Sequence, residues 1–128
     1  MSKGDLPAQR IVTRLSDIRD AIDQIPLLLK DRNFSDLEAD RVGRAAFERF
    51  LEIVSEASRH VPDDVKAQEP EIEWRAIAAI GNQLRHGYRQ LDLGILWDIH
   101  AKGQLNTLDA AALRLQQSLS GFKGPKTP

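Results

Sequence analysis

The sequence predicts an all-α protein, an antiparallel up-and-down four-helix bundle with room for one short extra helix. Three observations carry that prediction. Apolar residues recur at steps of three and four through most of the chain, the spacing that gathers side chains on one face of a helix. No segment reads convincingly as a strand. The breaks between the apolar stripes are short, so consecutive helices must fold back on one another.

The 128 residues fit one domain spanning 1–128, with its core at about 7–120. A chain of this length buries a core without staples, and having no cysteine it can hold neither a disulfide nor a thiolate metal site. Eighteen Lys and Arg against 19 Asp and Glu leave a net charge of -1, which argues against a broad basic coat for nucleic acid but not against a few local phosphate contacts. No apolar run approaches the ~20 residues of a membrane span, and the N-terminal residues lack the apolar core of a signal peptide. A cytoplasmic protein with no membrane partner is the expectation.

The first helix is expected over about Pro7 to Lys30, with Ile11, Leu15, Ile18, Ile22, Ile25 and Leu29 on one face. Pro26 inside it should kink or end it, because proline has no N–H to donate. The second is expected to open at Ser35 with a capping box closed by Glu38 and to run to about Arg59. Ala39, Val42, Ala46, Phe50, Ile53 and Ala57 form its stripe, widened by Phe47, Leu51 and Val54. His60 to Asp64 break it, and a short helical turn fits after the break. The third helix should start near Glu69-Pro70-Glu71, with proline in the first helical position and the acids complementing the dipole. Trp74, Ile77, Leu84 and Tyr88 lie along one of its sides. The fourth starts from an Asp92 cap and runs to about Ser120, with a weak point at Gly103. Residues 1–5 read as a loose end, and the Gly- and Pro-rich stretch 121–128 as a loose tail.

The chemistry-bearing residues gather on the third helix. Asn82 lies about 40° around the axis from His86 and one turn before it; Arg75 is only about 20° off the same line but roughly 16 Å away. Arg85 and Arg89 flank the stripe. An imidazole can take a proton, Asn can orient it, and Arg can hold a phosphate. Those are the parts that metal-free RNA cleavage needs, in which a 2′-OH loses its proton and attacks the adjacent phosphate. On spacing alone, an exposed histidine at a helix end is the commoner explanation of His86.

Elsewhere the signals are weaker. His60 and His100 lack zinc spacing. Ser55 and Ser58 read as surface polar residues of the second helix, and Glu69, Glu71 and Glu73 as charges at a helix N-terminus. Glu56, on the helix that should pack beside the third, can support His86 or an Arg, or be simply solvated. Arg41, Arg44 and Arg49 can touch phosphates or pair with Glu38, Glu48 and Glu52 at helical spacing.

The segment Trp74-Arg75-Ala76-Ile77-Ala78-Ala79-Ile80-Gly81-Asn82-Gln83-Leu84-Arg85-His86-Gly87-Tyr88, followed by Leu91-Asp92-Leu93 and Leu96-Trp97, resembles the HepT-like family of the HEPN superfamily. Leu51 to Ala57 resembles that family's second helix, and the likeness extends over roughly residues 8–118. The resemblance implies a HEPN-like helical bundle that forms a homodimer with two copies of the third helix lining a shared cleft. It implies a ribonuclease toxin of a type VII-like toxin–antitoxin pair, acting on RNA without cofactor or metal. The partner it implies is a minimal nucleotidyltransferase (MNT) antitoxin that silences the toxin by AMPylation of the motif tyrosine. His86 and Tyr88 match the motif's His and Tyr. The commonest arrangement puts Arg immediately before the Asn, where this chain has Gly81. Arg85 is the first candidate to replace that Arg and Arg75 the second. The alternative is a catalytically inactive helical dimer that serves as binding partner of a nucleotidyltransferase.

Overall fold

A computed structural model of the chain describes residues 5–86 and 92–120, residues 5–7 and His86 by their backbone alone. Among the described residues there are seven helices and no strand: α1 (Asp5–Leu29), α2 (Phe34–Ala39), α3 (Arg41–Arg59), α4 (Asp63–Lys66), α5 (Trp74–His86), α6 (Leu93–Ala101) and α7 (Gln104–Leu119). The long helices α1, α3, α5 and α7 are the expected bundle. The short α2 and α6 arise where an expected helix is split, and α4 is the expected extra turn.

The apolar spacing of α1 holds, with Leu15, Ile18, Ile22, Ile25 and Leu29 all buried. The helix does not end at Pro26 but continues through it to Leu29. Pro26 is exposed, and having no N–H it leaves the carbonyl one turn back without its helical partner. The expected second helix is two helices. Its capping box sits two residues earlier than Ser35–Glu38: Asn33 Oδ1 accepts the Asp36 N–H at 2.8 Å, and Asp36 Oδ2 accepts the Asn33 N–H at 3.0 Å. Asp40 then interrupts the chain in an extended conformation and caps α3 by accepting the Gly43 N–H at 2.9 Å. That bond, together with the Arg32 guanidinium, holds the Asp40 carboxyl below its ordinary 3.8. The split turns Val42 out to 81% exposure, so the buried face of α3 centres on Phe47, Leu51 and Val54 instead.

Pro70 does not open α5. Residues 66–74 form successive tight turns, and Trp74 Nε1 donates to the carbonyls of Lys66 and Glu69, both at 3.2 Å. Glu69 is drawn out of any helix-end role by Arg114 of α7, whose Nε and Nη2 reach its two oxygens at 3.1 and 2.7 Å. The guanidinium keeps the Glu69 carboxyl below its ordinary 4.5 against the opposing effect of burial, and Glu71 joins the same arginine at 3.3 Å. At the other end, Asp92 caps α6 through the Gly94 N–H at 2.8 Å, as expected. The weak point at Gly103 is a full break, with φ at +77°, a backbone region that glycine enters without steric cost.

Packing places α1 centrally, against α3 on one side and α7 on the other. Arg19 meets Asp109 at 3.0 Å while Gln116 Nε2 meets the Val12 carbonyl at 3.2 Å, so α1 and α7 run antiparallel. On the other side Arg14 shares a cavity with Ala57, whereas Asp20 and Gln24 share one with Phe50, so α1 and α3 are antiparallel too. α5 packs on α3. Its other side opens on an apolar cavity of about 500 Å³, shared with α6 and α7 and lined by Ile77, Ile80, Ile95 and Ile99. Among the described residues no helix is long and apolar enough to cross a membrane.

The α2–α6 contact is aromatic: Phe34 and Trp97 meet edge to face at 5.9 Å, and Trp97 and His100 at 5.3 Å. Burial pushes the His100 imidazole below its ordinary 6.5. The unfolded chain therefore binds more protons than the folded one between the depressed value and 6.5, and the stability that neutral His100 supports is lost as pH falls through that window. His100→Gln removes the titrating group. Going from about pH 7.5 to about 5.5, the wild-type melting temperature should fall further than that of the variant. Equal falls would contradict this assignment.

Candidate functional site

The site is built on α5, and α5 is placed by a serine. Ser55 and Ser58 are fully buried on α3 rather than at its surface. Ser58 Oγ donates to the Ser55 carbonyl at 2.7 Å. Ser55 Oγ donates to the Ala78 carbonyl at 3.0 Å and accepts the Gly81 N–H at 2.8 Å, so its one donor and an acceptor site are used on the backbone of the neighbouring helix. This brings α5 onto α3 at Gly81, which is itself buried. A Cβ at position 81 would lie 2.7 Å from Ser55 Oγ and 3.2 Å from Ser55 Cβ. A side chain there would force Ser55 or one of the helices to shift.

One turn further along, Arg85 uses the space that Gly81 leaves. Its Nη1 lies 3.2 Å from where that Cβ would be. Long side chains on a helix lean back over the preceding turn, which is how a guanidinium from position 85 comes to lie beside position 81. Glu56 on α3 holds it there at 3.6 Å through Oε1, while Glu56 Oε2 is 3.2 Å from Nε2 of His60. Arg85, Glu56 and His60 keep 34%, 49% and 47% of their side chains exposed. Ion pairs that open to solvent contribute about 0–1 kcal/mol, so an incoming anion can take Arg85 from Glu56 at little cost.

Arg85 and Glu56 both line a solvent-open cavity of about 530 Å³ between α1 and α3, together with Arg14, Asp17, Arg49 and Arg59. Asn82 and Arg75 are exposed on α5, and neither lines this cavity. Asn82 keeps the one-turn spacing to His86 along α5. Arg75 sits in the first turn, about 15 Å of helix from Arg85, and does not join the group. The side chain of His86 and the whole of Tyr88 lie outside the described residues. On α3, Arg44 pairs with Glu48 at 2.9 Å and Arg49 with Glu52 at 3.1 Å, the helical-spacing alternative of the two considered for them. Among the described residues no group of histidines and carboxylates is arranged to hold a metal ion.

Residue type concealed Ser55 from sequence reasoning, whereas spacing could have found it: Leu51, Ser55 and Ser58 continue one buried stripe at steps of four and three. Arg14 and Arg59 had no such signal, because they meet Arg85 only through the packing of three helices. Taken together, the arrangement offers an accessible guanidinium at the edge of a charged and solvent-open groove. That suits it to bind an anion.

Comparison with known proteins points the same way. The family described as "Ribonuclease HepT-like" matches residues 18–115. A protein of Thermococcus cleftensis named "Probable ribonuclease HepT" is 39% identical over 83 residues, covering 65% of this chain and 76% of that protein. A protein of Methanocaldococcus jannaschii, named as a putative RNase, is 31% identical over 99 residues, covering 77% of this chain and 86% of its own length. No solved structure matches the chain significantly.

The close approach at Gly81 makes a prediction against helix propensity. Alanine is favoured over glycine inside a helix by about 1 kcal/mol, yet Gly81→Ala should destabilise this protein by about 1–3 kcal/mol through overpacking against Ser55. In a Ser55→Ala background the same substitution should cost at least about 1 kcal/mol less, because the two residues are coupled. Denaturant unfolding of the four proteins measures this, and strictly additive effects would contradict the contact.

Proposed function

The chain belongs to the HepT-like ribonuclease family, and from that footing we propose that it is a metal-independent endoribonuclease whose site is built from His86, Asn82 and Arg85. One observation carries the assignment of Arg85. The family's usual arginine position is Gly81 here, and the Arg85 guanidinium lies 3.2 Å from where a Cβ at 81 would be. The cation is supplied from one turn away, and the glycine gives it room.

In this mechanism the His86 imidazole takes the proton of a ribose 2′-OH, and the resulting oxyanion attacks the adjacent phosphorus. The bond from phosphorus to the 2′-oxygen forms and the bond to the 5′-oxygen breaks. The imidazolium returns its proton to the departing 5′-oxygen, leaving a 2′,3′-cyclic phosphate and a 5′-hydroxyl end. Arg85 leaves Glu56 for the phosphate and stabilises the charge that grows on its oxygens. Asn82, one turn before His86, orients the imidazole, and Glu56 holds Arg85 in position between turnovers.

The proposed assembly is a cytoplasmic homodimer. Supporting it, among the described residues α5 packs chiefly on α3, and its other side faces the apolar cavity with Ile77, Ile99 and Ile95, the last 57% exposed. A second copy seated there would set two α5 helices beside one cleft. The proposed regulation is AMPylation of Tyr88 by an MNT-type nucleotidyltransferase antitoxin, which would place a bulky anion two residues from His86. The competing account, an inactive helical partner of that nucleotidyltransferase, draws on Gly81 in the motif; the position of Arg85 favours the enzyme.

Expression of the wild-type chain without its partner should arrest growth, and His86→Ala should abolish both the arrest and cleavage of RNA in vitro. Equal growth of the two strains, with no cleavage by either protein, would support the inactive partner. Separately, incubation with the nucleotidyltransferase and ATP should raise the intact mass by AMP and leave Tyr88→Phe unmodified. An unchanged wild-type mass would refute the regulatory claim.

A further inference from the structure

The cavity between α1 and α3 extends well past Arg85, and the catalytic assignment makes no use of that extension. Its walls bring together four arginines from three helices: Arg14 of α1, Arg49 and Arg59 of α3, and Arg85 of α5. Two of them are engaged by carboxylates, Arg49 by Glu52 at 3.1 Å and Arg85 by Glu56 at 3.6 Å. Arg14 and Arg59 have no carboxylate within 4.0 Å among the described residues. The volume, about 530 Å³, is open to solvent along its length and holds no apolar floor beyond Ile53 and Ala57. A drug-like ligand would find little to bury there, whereas a chain of phosphates needs only cations at the rim.

The charge changes along α1. The next cavity shares Asp17 and Ile53 with this one and adds Asp20 and Asp23, with Gln24 and Phe50. A polyanion is therefore attracted at the end beside α5 and repelled one to two helical turns further along. Arg14 and Arg59, the unengaged cations of the attractive stretch, can each hold one backbone phosphate.

We propose that this groove is a flanking subsite for single-stranded RNA, in which Arg14 and Arg59 hold backbone phosphates next to the one that Arg85 receives. The inference rests on the ribonuclease assignment above for the identity of the anion, and it adds where the strand runs. The strand leaves Arg85 between α1 and α3 and is turned out to solvent before Asp20. Glu56 stands at the junction and occupies Arg85 when no RNA is present, so the carboxylate competes with the strand.

Binding can be read apart from cleavage. The protein used is His86→Ala, titrated against a fluorescent single-stranded RNA of about twelve nucleotides at several salt concentrations. Adding Arg14→Gln and Arg59→Gln together should weaken binding about tenfold or more. It should also lower the slope of log affinity against log salt by about 1.4, since each phosphate contact on a single strand contributes about 0.7. Adding Glu56→Gln instead should tighten binding. Arg41→Gln, exposed on α3 and outside the groove, is the control and should change little. Melting temperatures of all variants distinguish lost contacts from lost fold, and the single substitutions Arg14→Gln and Arg59→Gln serve if the pair is unstable. Unchanged affinity and slope in the Arg14 and Arg59 variants would overturn the groove while leaving cleavage by the wild type intact. Competition by AMP or inorganic phosphate at concentrations matching the RNA would show a mononucleotide site and overturn it as well. Weakened binding in the variants of a protein whose wild type cleaves nothing would uphold the groove and refute the nuclease.

Discussion

The Ser55 hydroxyl, seated between the Ala78 carbonyl and the Gly81 N–H, is the interaction on which the site depends. It fixes both how closely α5 approaches α3 and how α5 is rotated about its own axis. A buried hydroxyl that loses such partners costs about 1–3 kcal/mol, so the arrangement is held from both directions: the hydroxyl needs α5, and α5 needs a residue at position 81 with no side chain. The placement of the proposed site residues then follows from helical geometry. With Gly81 against α3, Arg85 lies over it and within reach of Glu56, while Asn82 stays exposed.

In the proposed site, the same contact accounts for the departure from the motif as a relocation. An arginine at position 81 would force Ser55 or one of the helices to shift, because its Cβ would lie 2.7 Å from a hydroxyl held by two hydrogen bonds. The guanidinium enters from position 85 instead. Its resting partner, Glu56, is itself shared with His60 and half exposed, which makes the cation available without leaving it unpaired at rest.

Much of this was legible in the sequence. The helical periodicity of α1, the cap at Asp92 and the weak point at Gly103 all reappear in the fold, because each is a local property of a few residues. The errors have tertiary causes. Ser35 and Glu38 make a valid capping box on paper, but Asn33 and Asp36 make the one that forms, since Asp40 is taken as the cap of α3 and bound by Arg32. Pro70 has good credentials to begin a helix, yet Arg114 holds Glu69 in a turn that the local signals do not contain. Within the proposed site, His86, Asn82 and Arg85 are candidates on spacing and resemblance. The polarity of Ser55 conceals its role, although its position continues a buried stripe. Arg14 and Arg59 lie 71 and 26 residues from Arg85 in the sequence, and only the packing of α1 and α3 against α5 brings them to one groove.

Whether Arg85 supplies the cation a HepT-like site needs is tested most directly by its removal. Single-turnover cleavage of a labelled RNA by Arg85→Ala should be slower than by the wild type by about a hundredfold or more, the loss typical of removing one group that stabilises transition-state charge. Arg85→Lys should recover only part of the rate, because a point charge lacks the guanidinium's planar fork. An Arg85→Ala protein that folds normally and cleaves at the wild-type rate would contradict the account.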